Sequence, residues 1–159
     1  MNTREITTLW ADWLRHAERL FLLLHEQTVA VTLRDVPRVE RLTPLILQGM
    51  EALRAIDSLA VNALRALAER LGVEAGLRAI VAALPKEEGQ PLQATANKIV
   101  VLEGKIGHVV AKNRKLLEAE MTFVDGTLTL IAREGGPKPR RSPYTRRNPP
   151  EAILLSEAA

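Results

Sequence analysis

Cysteine is absent from this sequence, so neither a disulfide nor a thiolate-ligated metal site can form. Aromatic residues are scarce as well, at 3% of the chain, while alanine, leucine, glutamate and arginine are abundant. These are good helix formers, and the balance predicts helices packed on helices. With 47% hydrophobic and 26% charged residues, the 159-residue chain has the composition and length of one globular domain with its own core.

Long apolar runs are also missing. The longest, residues 20–24, is far shorter than the roughly 20 residues that span a bilayer. Near the N-terminus, Arg4, Glu5 and Asp12 interrupt the stretch that would have to be apolar in a secretory signal. We therefore expect a soluble, cytoplasmic protein that does not insert into membranes.

Motifs that carry catalysis or hold cofactors are equally scarce. His16, His25 and His108 lie far apart, and His25 lacks the second histidine four residues later that a zinc-protease helix needs. Neither a dinucleotide-binding glycine pattern nor a phosphate loop is present. Serine is sparse, and Ser58, the only serine before the proline-rich tail, is not part of a nucleophile motif. We expect no enzymatic activity, no catalytic residue, no metal and no cofactor.

Positive charge is concentrated near the C-terminus. The net charge is +3, and residues 134–148 alone contribute +4, because five basic side chains there oppose Glu134. The rest of the chain therefore carries −1, close to neutral. From this balance we expect no basic face on the body of the protein of the kind that nucleic-acid-binding domains have.

Apolar residues recur at three- and four-residue spacing from residue 3 onward, which is typical of helices. The first predicted helix runs from Thr3 to about residue 34, and its core face is Ile6, Trp10, Trp13, Ala17, Leu20, Leu24 and Val31. Asp35 caps a second helix, with Pro37 in its first turn and Gly72 as its C-terminal cap. The core face of this second helix is Leu42, Ile46, Leu53, Ile56, Ala60, Ala63 and Leu67. A short helix over residues 73–84 and a polar loop, KEEGQP, are predicted to follow.

The longest predicted helix covers residues 92–133, and its apolar seam contains one polar residue, Asn113. A buried amide in a helix seam usually fixes the register of the helices, but it can also mark a groove that receives another chain's helix. Asp125-Gly126 would suit a hairpin turn, but the seam continues in phase, so we predict helix through residues 121–131. The seam positions are Ile99, Leu102, Ile106, Val109, Asn113, Leu116, Glu120, Phe123, Thr127 and Leu130.

The sequence thus predicts an all-α protein, an elongated antiparallel helical bundle or coiled coil of three long helices plus one short helix. Residues 1–133 form the helical domain. Residues 134–159 form a flexible, basic tail rich in proline and arginine, which cannot bury enough apolar area to order and is expected to be disordered. Tyr144 lies alone among the arginines of this tail.

Three parts of the sequence resemble the FlgN-like flagellar export chaperones. The best match is the Asn113–Leu117 signature within AKNRKLLEAEMTFVDGTLTLI, where Asn, a basic residue and Leu-Leu precede the end of the last helix. The stretch LLHEQTVAVTLRDVPRVERLTPLILQGMEAL is similar to the family's first helix, acidic break and second helix. The tail with Tyr144 also resembles that family, although Thr145, Arg146, Arg147 and Asn148 stand where a small residue or glycine is expected.

The resemblance implies a cytoplasmic type III export chaperone. Such a protein binds the C-terminal amphipathic segment of hook-associated proteins, prevents their premature association and delivers them to the export gate and ATPase components. The resemblance also implies that Tyr144 docks on the export gate. A substrate helix requires an apolar groove with a polar edge, and the side chains expected to supply it are Val109, Asn113, Arg114, Leu116, Leu117, Phe123 and Val124.

Two alternatives are compatible with the sequence. A structural homodimeric coiled coil would bury the whole apolar face of the long helix and leave no groove. A nucleic-acid-binding protein would act through the basic tail and bind in a salt-sensitive manner. Nucleic acid is the less favoured partner, because Tyr144 is the only aromatic residue of the tail.

Overall fold

The structure, a computed structural model, describes residues 3–135, and these form four α-helices with no strand among them. Helix α1 spans Thr3–Thr32, α2 spans Val36–Leu71, α3 spans Leu77–Ala83 and α4 spans Lys86–Gly135. The predicted all-α class, with three long helices and one short helix, is confirmed. The chain divides into two units, one ending at Phe123 and the other beginning at Val124. Tyr144 and the rest of the predicted tail beyond Gly135 lie outside the described residues.

The core face of α1 is the one that the sequence predicts. The helix ends at Thr32, two residues before the predicted end, and the β-branched stretch after Leu24 is helical. That stretch continues the core face, since Val31 is 4% exposed. The buried side chains of the predicted face are Ile6, Trp10, Trp13, Ala17, Leu20, Leu24 and Val31.

A tight corner joins α1 to α2. The backbone N–H of Arg34 donates to the Val31 carbonyl at 3.0 Å and that of Asp35 to the Ala30 carbonyl at 2.9 Å, which is the Schellman pattern. Arg34 occupies its left-handed position, with φ 55°, where glycine is usual because it has no Cβ. The Asp35 carboxylate then accepts from the Arg38 N–H at 3.1 Å, as expected of an N-cap.

Helix α2 also follows its predicted pattern. Pro37 lies in its first turn, and Gly72 closes it in the left-handed conformation with φ 67°. The buried side chains of α2 include Leu42, Ile46, Leu53, Ala60, Ala63 and Leu67.

The segment between α3 and α4 corrects one prediction. KEEGQP is not a loop, because α4 begins at Lys86. Gly89 is buried, and a Cβ there would approach the Val81 carbonyl oxygen of α3 to 3.0 Å, so glycine permits close packing of the two helices. Pro91 lacks the backbone N–H that would donate to the Glu87 carbonyl, but Glu87 lies in the exposed first turn of α4. Gly89 therefore serves helix packing, and Pro91 is tolerated inside the helix.

The predicted start of α3 is also wrong. The helix begins at Leu77 instead of residue 73, and Gly76 before it has an extended backbone, with φ −140° and ψ 140°. The charged and glycine-containing stretch after Gly72 forms the turn between α2 and α3.

Hydrogen bonds between α1 and α4 establish the helix directions. Thr3 donates to Glu88 at 2.7 Å near the start of both helices, and Arg34 donates to Glu120 at 2.8 Å beyond the end of α1. The partners are 85 and 86 residues apart, so α1 and α4 run parallel at a constant register. Helix α2 runs back along α1 after the corner, where Arg38 donates to Glu26 at 2.8 Å. Helix α2 is thus antiparallel to both α1 and α4, as in the predicted antiparallel bundle, while α1 and α4 are parallel to each other.

Two clusters of buried side chains form the core of the unit that ends at Phe123. One contains Ile6 and Trp10 with Leu67, Ile80 and Leu92, and thus joins all four helices. The other lies nearer the α1–α2 corner and is built around Leu20, Leu24, Leu42, Ile46 and Val109. No helix within residues 3–135 is long and apolar enough to cross a membrane.

Candidate functional site

An apolar groove lies between α2 and α4, with part of α1 at its base. We call it the α2–α4 groove, and its volume is about 280 Å³. Leu47 and Met121 stand on its two walls and are 61% and 67% exposed, so they offer apolar surface to solvent. Its lining residues are Leu24, Gln27, Thr43, Ile46, Leu47, Met50, Val110, Asn113, Arg114, Leu117, Glu118 and Met121.

Asn113 forms part of the base of the groove and is 2% exposed. Its amide Nδ2 donates to the Leu24 carbonyl at 2.8 Å and to Gln27 Oε1 at 2.9 Å. Its Oδ1 lies 2.5 Å from the Thr28 hydroxyl, which is placed to donate to it. Both amide hydrogens are therefore used within the bundle, and the contacts favour the register-fixing interpretation of Asn113.

A charged pair lies at the edge of the groove on α4. Arg114 Nε donates to Glu118 Oε1 at 2.9 Å, across one helical turn. Both side chains are largely exposed, so the pair contributes little to folding stability. Because solvent reaches both ions, either can exchange its partner for a charge on another molecule.

The other predicted site residues lie elsewhere. Val109 is buried in the core at 6% exposure and does not line the groove. Leu116 is half-buried, and it is not among the lining side chains although Leu117 beside it is. Phe123, at the end of the first unit, and Val124, at the start of the second, are 55% and 50% exposed. The structure therefore brings Asn113, Arg114 and Leu117 together at one groove.

Phe123 contacts the corner between α1 and α2. The Arg34 guanidinium carbon lies 4.6 Å from the centre of the Phe123 ring, a cation–π geometry. The same guanidinium donates to Glu120. Phe123 is thus engaged by Arg34, although more than half of its surface faces solvent.

The described part of the second unit is the last segment of α4, residues 124–135. All of its side chains are exposed, and they include four large apolar ones. The predicted helix through residues 121–131 is confirmed. The predicted seam is in phase, but Leu130 is 60% exposed, so its last position is not part of the buried core. The four side chains are Val124, Leu128, Leu130 and Ile131.

One carboxylate has a perturbed pKa. Partial burial raises the pKa of Asp57 on α2, the negative charge of Glu103 on α4 raises it further, and the indole N–H of Trp13 lowers it. This indole nitrogen is buried, and among residues 3–135 it finds no acceptor within hydrogen-bonding geometry. The Asp57 carboxylate lies near this N–H, whose partial positive charge favours the ionised carboxylate although the geometry of a hydrogen bond is not met. The arrangement adds repulsion between α2 and α4 at neutral pH.

The part of the chain that the structure describes contains no candidate metal site. Within residues 3–135, no group of three His, Asp or Glu side chains could hold a metal ion. His25 packs its ring edge-on against Phe21, with 4.5 Å between the centroids. The groove between α2 and α4 instead provides apolar walls and a charged edge, which are suited to binding a helix.

The α2 wall of the groove was not predicted from the sequence. The periodicity places Ile46 on the core face of α2, but it does not indicate that Leu47 and Met50 beside it line a groove. The available signal is the run Leu45-Ile46-Leu47, in which only the middle residue belongs to the buried stripe. The seam periodicity selects Phe123 in this turn of α4, so it does not indicate that Met121 lines the groove.

Comparison with known proteins identifies the family. The family model described as FlgN protein matches residues 1–147, which is most of the 159-residue chain. No match was found among curated proteins or among solved structures. The matched range contains every predicted site residue, including Tyr144. The chain therefore belongs to the FlgN family of flagellar export chaperones.

Proposed function

We propose that this chaperone holds the C-terminal amphipathic segment of a hook-associated protein in the α2–α4 groove. Binding covers the apolar face through which that segment would otherwise associate prematurely, and the complex is delivered to the export gate and ATPase components. The protein acts in the cytoplasm and carries out no chemical reaction. Membership in the FlgN family supports the export role.

The observation that carries the proposal is the pair of exposed apolar walls. Leu47 on α2 and Met121 on α4 face a groove whose base includes Leu117. An amphipathic helix binds such a groove through side chains at three- and four-residue spacing. Methionine suits this task because its flexible side chain adapts to different partners, and Met50 and Met121 both line the groove.

The groove can supply adequate affinity. A micromolar complex requires about 8 kcal/mol. Fully burying one large apolar side chain contributes roughly 1.5–3 kcal/mol, so several anchors from the substrate and several wall residues exceed this requirement. The excess offsets the lost freedom of the two molecules and of the ordered side chains.

The charged edge selects the orientation of the substrate. Arg114 and Glu118 stand one turn apart on the same wall of the groove. A substrate helix with opposite charges at matching positions can replace their mutual contact, whereas one bound in reverse would place like charges together. Asn113 acts indirectly by holding α4 against α1, because its amide hydrogens are bonded to α1.

The test is a titration of the intact protein with peptides covering the C-terminal segments of hook-associated proteins from the same genome. Leu117→Ala should weaken one-to-one binding by about five- to thirty-fold, corresponding to roughly 1–2 kcal/mol of lost contact. Leu116→Ala is the matched control: it makes the same change one residue away, outside the groove lining, and should leave the affinity within about two-fold.

A second pair of variants protects the test against folding defects. Met121→Glu places a charge on the exposed groove wall and should abolish binding. Leu22→Glu makes a similar change at a side chain of α1 that is 69% exposed and not part of the groove lining, and it should bind normally. Equal loss in both members of either pair, or no binding by the folded wild-type protein, would contradict the proposal.

The same titration separates the two alternatives. A homodimer that uses its apolar surface internally would show concentration-dependent mass in light scattering and would not bind the peptides. Binding to nucleic acid through the tail would weaken steeply with salt and disappear when residues 136–159 are deleted. Changing Tyr144→Ala should leave peptide affinity unchanged and reduce export, since we propose that Tyr144 contacts the export gate.

A further inference from the structure

A row of lysines runs along α4 on a face distinct from the α2–α4 groove. We call it the lysine stripe: Lys98, Val101, Lys105, His108, Lys112 and Lys115. The spacing alternates three and four residues, which places all six on one side of the helix, and all six are exposed. Four of the six lysines in the whole sequence lie in this stripe, over a length of about 26 Å.

The lysines of the stripe form no ion pairs within residues 3–135; Glu18 of α1 lines the same depression as Lys98 and Lys105 but is not paired with either. Residues 3–135 carry 17 basic and 17 acidic side chains, because five of the 22 Lys and Arg and two of the 19 Asp and Glu follow Gly135. Within this neutral body, none of the four lysines forms an ion pair with another described residue. The prediction that the body has no basic face holds for its net charge and fails locally at α4.

The acidic residues of α4 between positions 98 and 120 interact with groups other than these lysines. Glu118 pairs with Arg114, and Glu120 pairs with Arg34 of the α1–α2 corner. Glu103 acts on Asp57 of α2, whose pKa its charge helps to raise. These contacts leave the lysines facing solvent without a compensating acid on their own helix.

The stripe also contains apolar surface. Val101 is 58% exposed and lies between Lys98 and Lys105 in a depression of about 510 Å³ that Leu14 and Glu18 of α1 complete. An apolar contact flanked by cations matches an amphipathic helix that has acidic residues on either side of a hydrophobic one. The stripe therefore combines charge attraction with a small apolar anchor.

We propose that the lysine stripe binds an acidic helix of another protein, at a surface separate from the substrate groove. Lys98, Lys105 and Lys112 recur every seven residues, about 10.5 Å apart along the axis. A partner helix with acidic residues at the same seven-residue spacing would place one acid opposite each lysine. The stripe lacks arginine, its only aromatic ring is that of His108, and the body is neutral, which favours a protein partner over a nucleic acid.

The probe is a synthetic helical peptide of about 20 residues, the length of the stripe, with glutamates at seven-residue intervals beside leucines. Its control is the same peptide with every glutamate replaced by glutamine. Titration of the full-length chain should give measurable binding to the acidic peptide at about 50 mM salt, at least ten-fold weaker binding at about 300 mM, and much weaker binding to the control.

Matched charge reversals locate the binding surface. Lys105→Glu with Lys112→Glu should weaken binding of the acidic peptide by about ten-fold or more. Arg41→Glu with Arg65→Glu changes the net charge equally at exposed positions of α2 and should change binding less than about three-fold. Circular dichroism of both variants verifies that the helices are intact.

Three outcomes would overturn the inference: equal binding of the glutamate and glutamine peptides, an equal loss in the α2 control, or no binding at all. The inference would also be rejected if a short RNA duplex bound the stripe more tightly than the acidic peptide does, because the partner would then be a nucleic acid. The hook-associated peptides distinguish this test from that of the groove: the lysine reversals should leave their affinity unchanged, and a parallel loss would mean one shared site.

Discussion

Asn113→Asp is the most informative single change in the bundle. It preserves the shape of the side chain, but it replaces the amide group that donates to the Leu24 carbonyl and to Gln27 Oε1 with a carboxylate oxygen. At neutral pH this carboxylate is charged and buried, and it faces two acceptor oxygens that repel it, the Leu24 carbonyl and Gln27 Oε1. Arg114, which lines the groove together with Asn113, is exposed and pairs with Glu118.

The magnitude follows from these contacts. Two lost hydrogen bonds cost about 1 kcal/mol each, and a buried carboxylate without a cation brings the total to about 3–5 kcal/mol. Asn97→Asp is the matched control. Asn97 is exposed on the same helix and uses its oxygen to accept from Gln93 at 2.9 Å, a role that a carboxylate retains. We expect this variant to stay within about 0.5 kcal/mol of the wild type.

The pH dependence gives an independent check. Burial raises the pKa of the new carboxyl in the folded state above its value in the unfolded chain. The folded state of Asn113→Asp then binds the proton more tightly, so the deficit is smallest at acidic pH and grows as pH rises through the raised pKa.

Urea denaturation of wild type and both variants at pH 4 and pH 7 measures the effect as the difference from wild type at each pH. A deficit below about 1 kcal/mol at neutral pH, or one that does not shrink in acid, would refute the reasoning. In that case Asn113 would not be held in the bundle as the hydrogen bonds indicate.

Other predictions concern α2 and two glycines. Asp57→Asn should raise the melting temperature at neutral pH, because it removes a partly desolvated charge that Glu103 repels; the gain should disappear in acid, where the raised pKa leaves Asp57 protonated. Gly89→Ala should destabilise the protein by about 1–3 kcal/mol, because the new methyl group would meet the backbone of α3. Gly104→Ala is the matched change at a glycine with open space around it, and it should stabilise the protein by about 0.5–1 kcal/mol. Urea denaturation compares the two variants, and similar effects would contradict the packing argument.

Much of the fold follows from local sequence signals. The periodicity of α1 and α2 predicts their buried faces, and Asp35 and Gly72 mark the helix boundaries because each performs a local backbone role. The errors occur where a residue type with a local meaning serves a tertiary contact. Gly89 suggests a loop, but it permits the approach of α3 to α4, and that approach depends on residues the local pattern does not contain.

The candidate site is predicted less completely for a similar reason. The Asn113–Leu117 signature places one wall correctly, because it lies within a single helix. The opposite wall depends on which part of α2 lies beside α4, and periodicity does not determine this pairing. The lysine stripe escapes any count of net charge, since an equal number of acidic residues elsewhere in the described chain cancels it.

The left-handed turn at Arg34 links a local corner to a contact with a distant part of the chain. The hairpin of α1 and α2 joins residues close in sequence and can form early, whereas Arg34 and Glu120 are 86 residues apart. A side chain with a Cβ costs about 1–2 kcal/mol in this conformation, and its contacts with Glu120 and Phe123 arise only when α4 docks. The left-handed φ of Arg34 is retained in the complete bundle, so the contacts of Arg34 with α4 offset a backbone cost that the α1–α2 hairpin alone would carry.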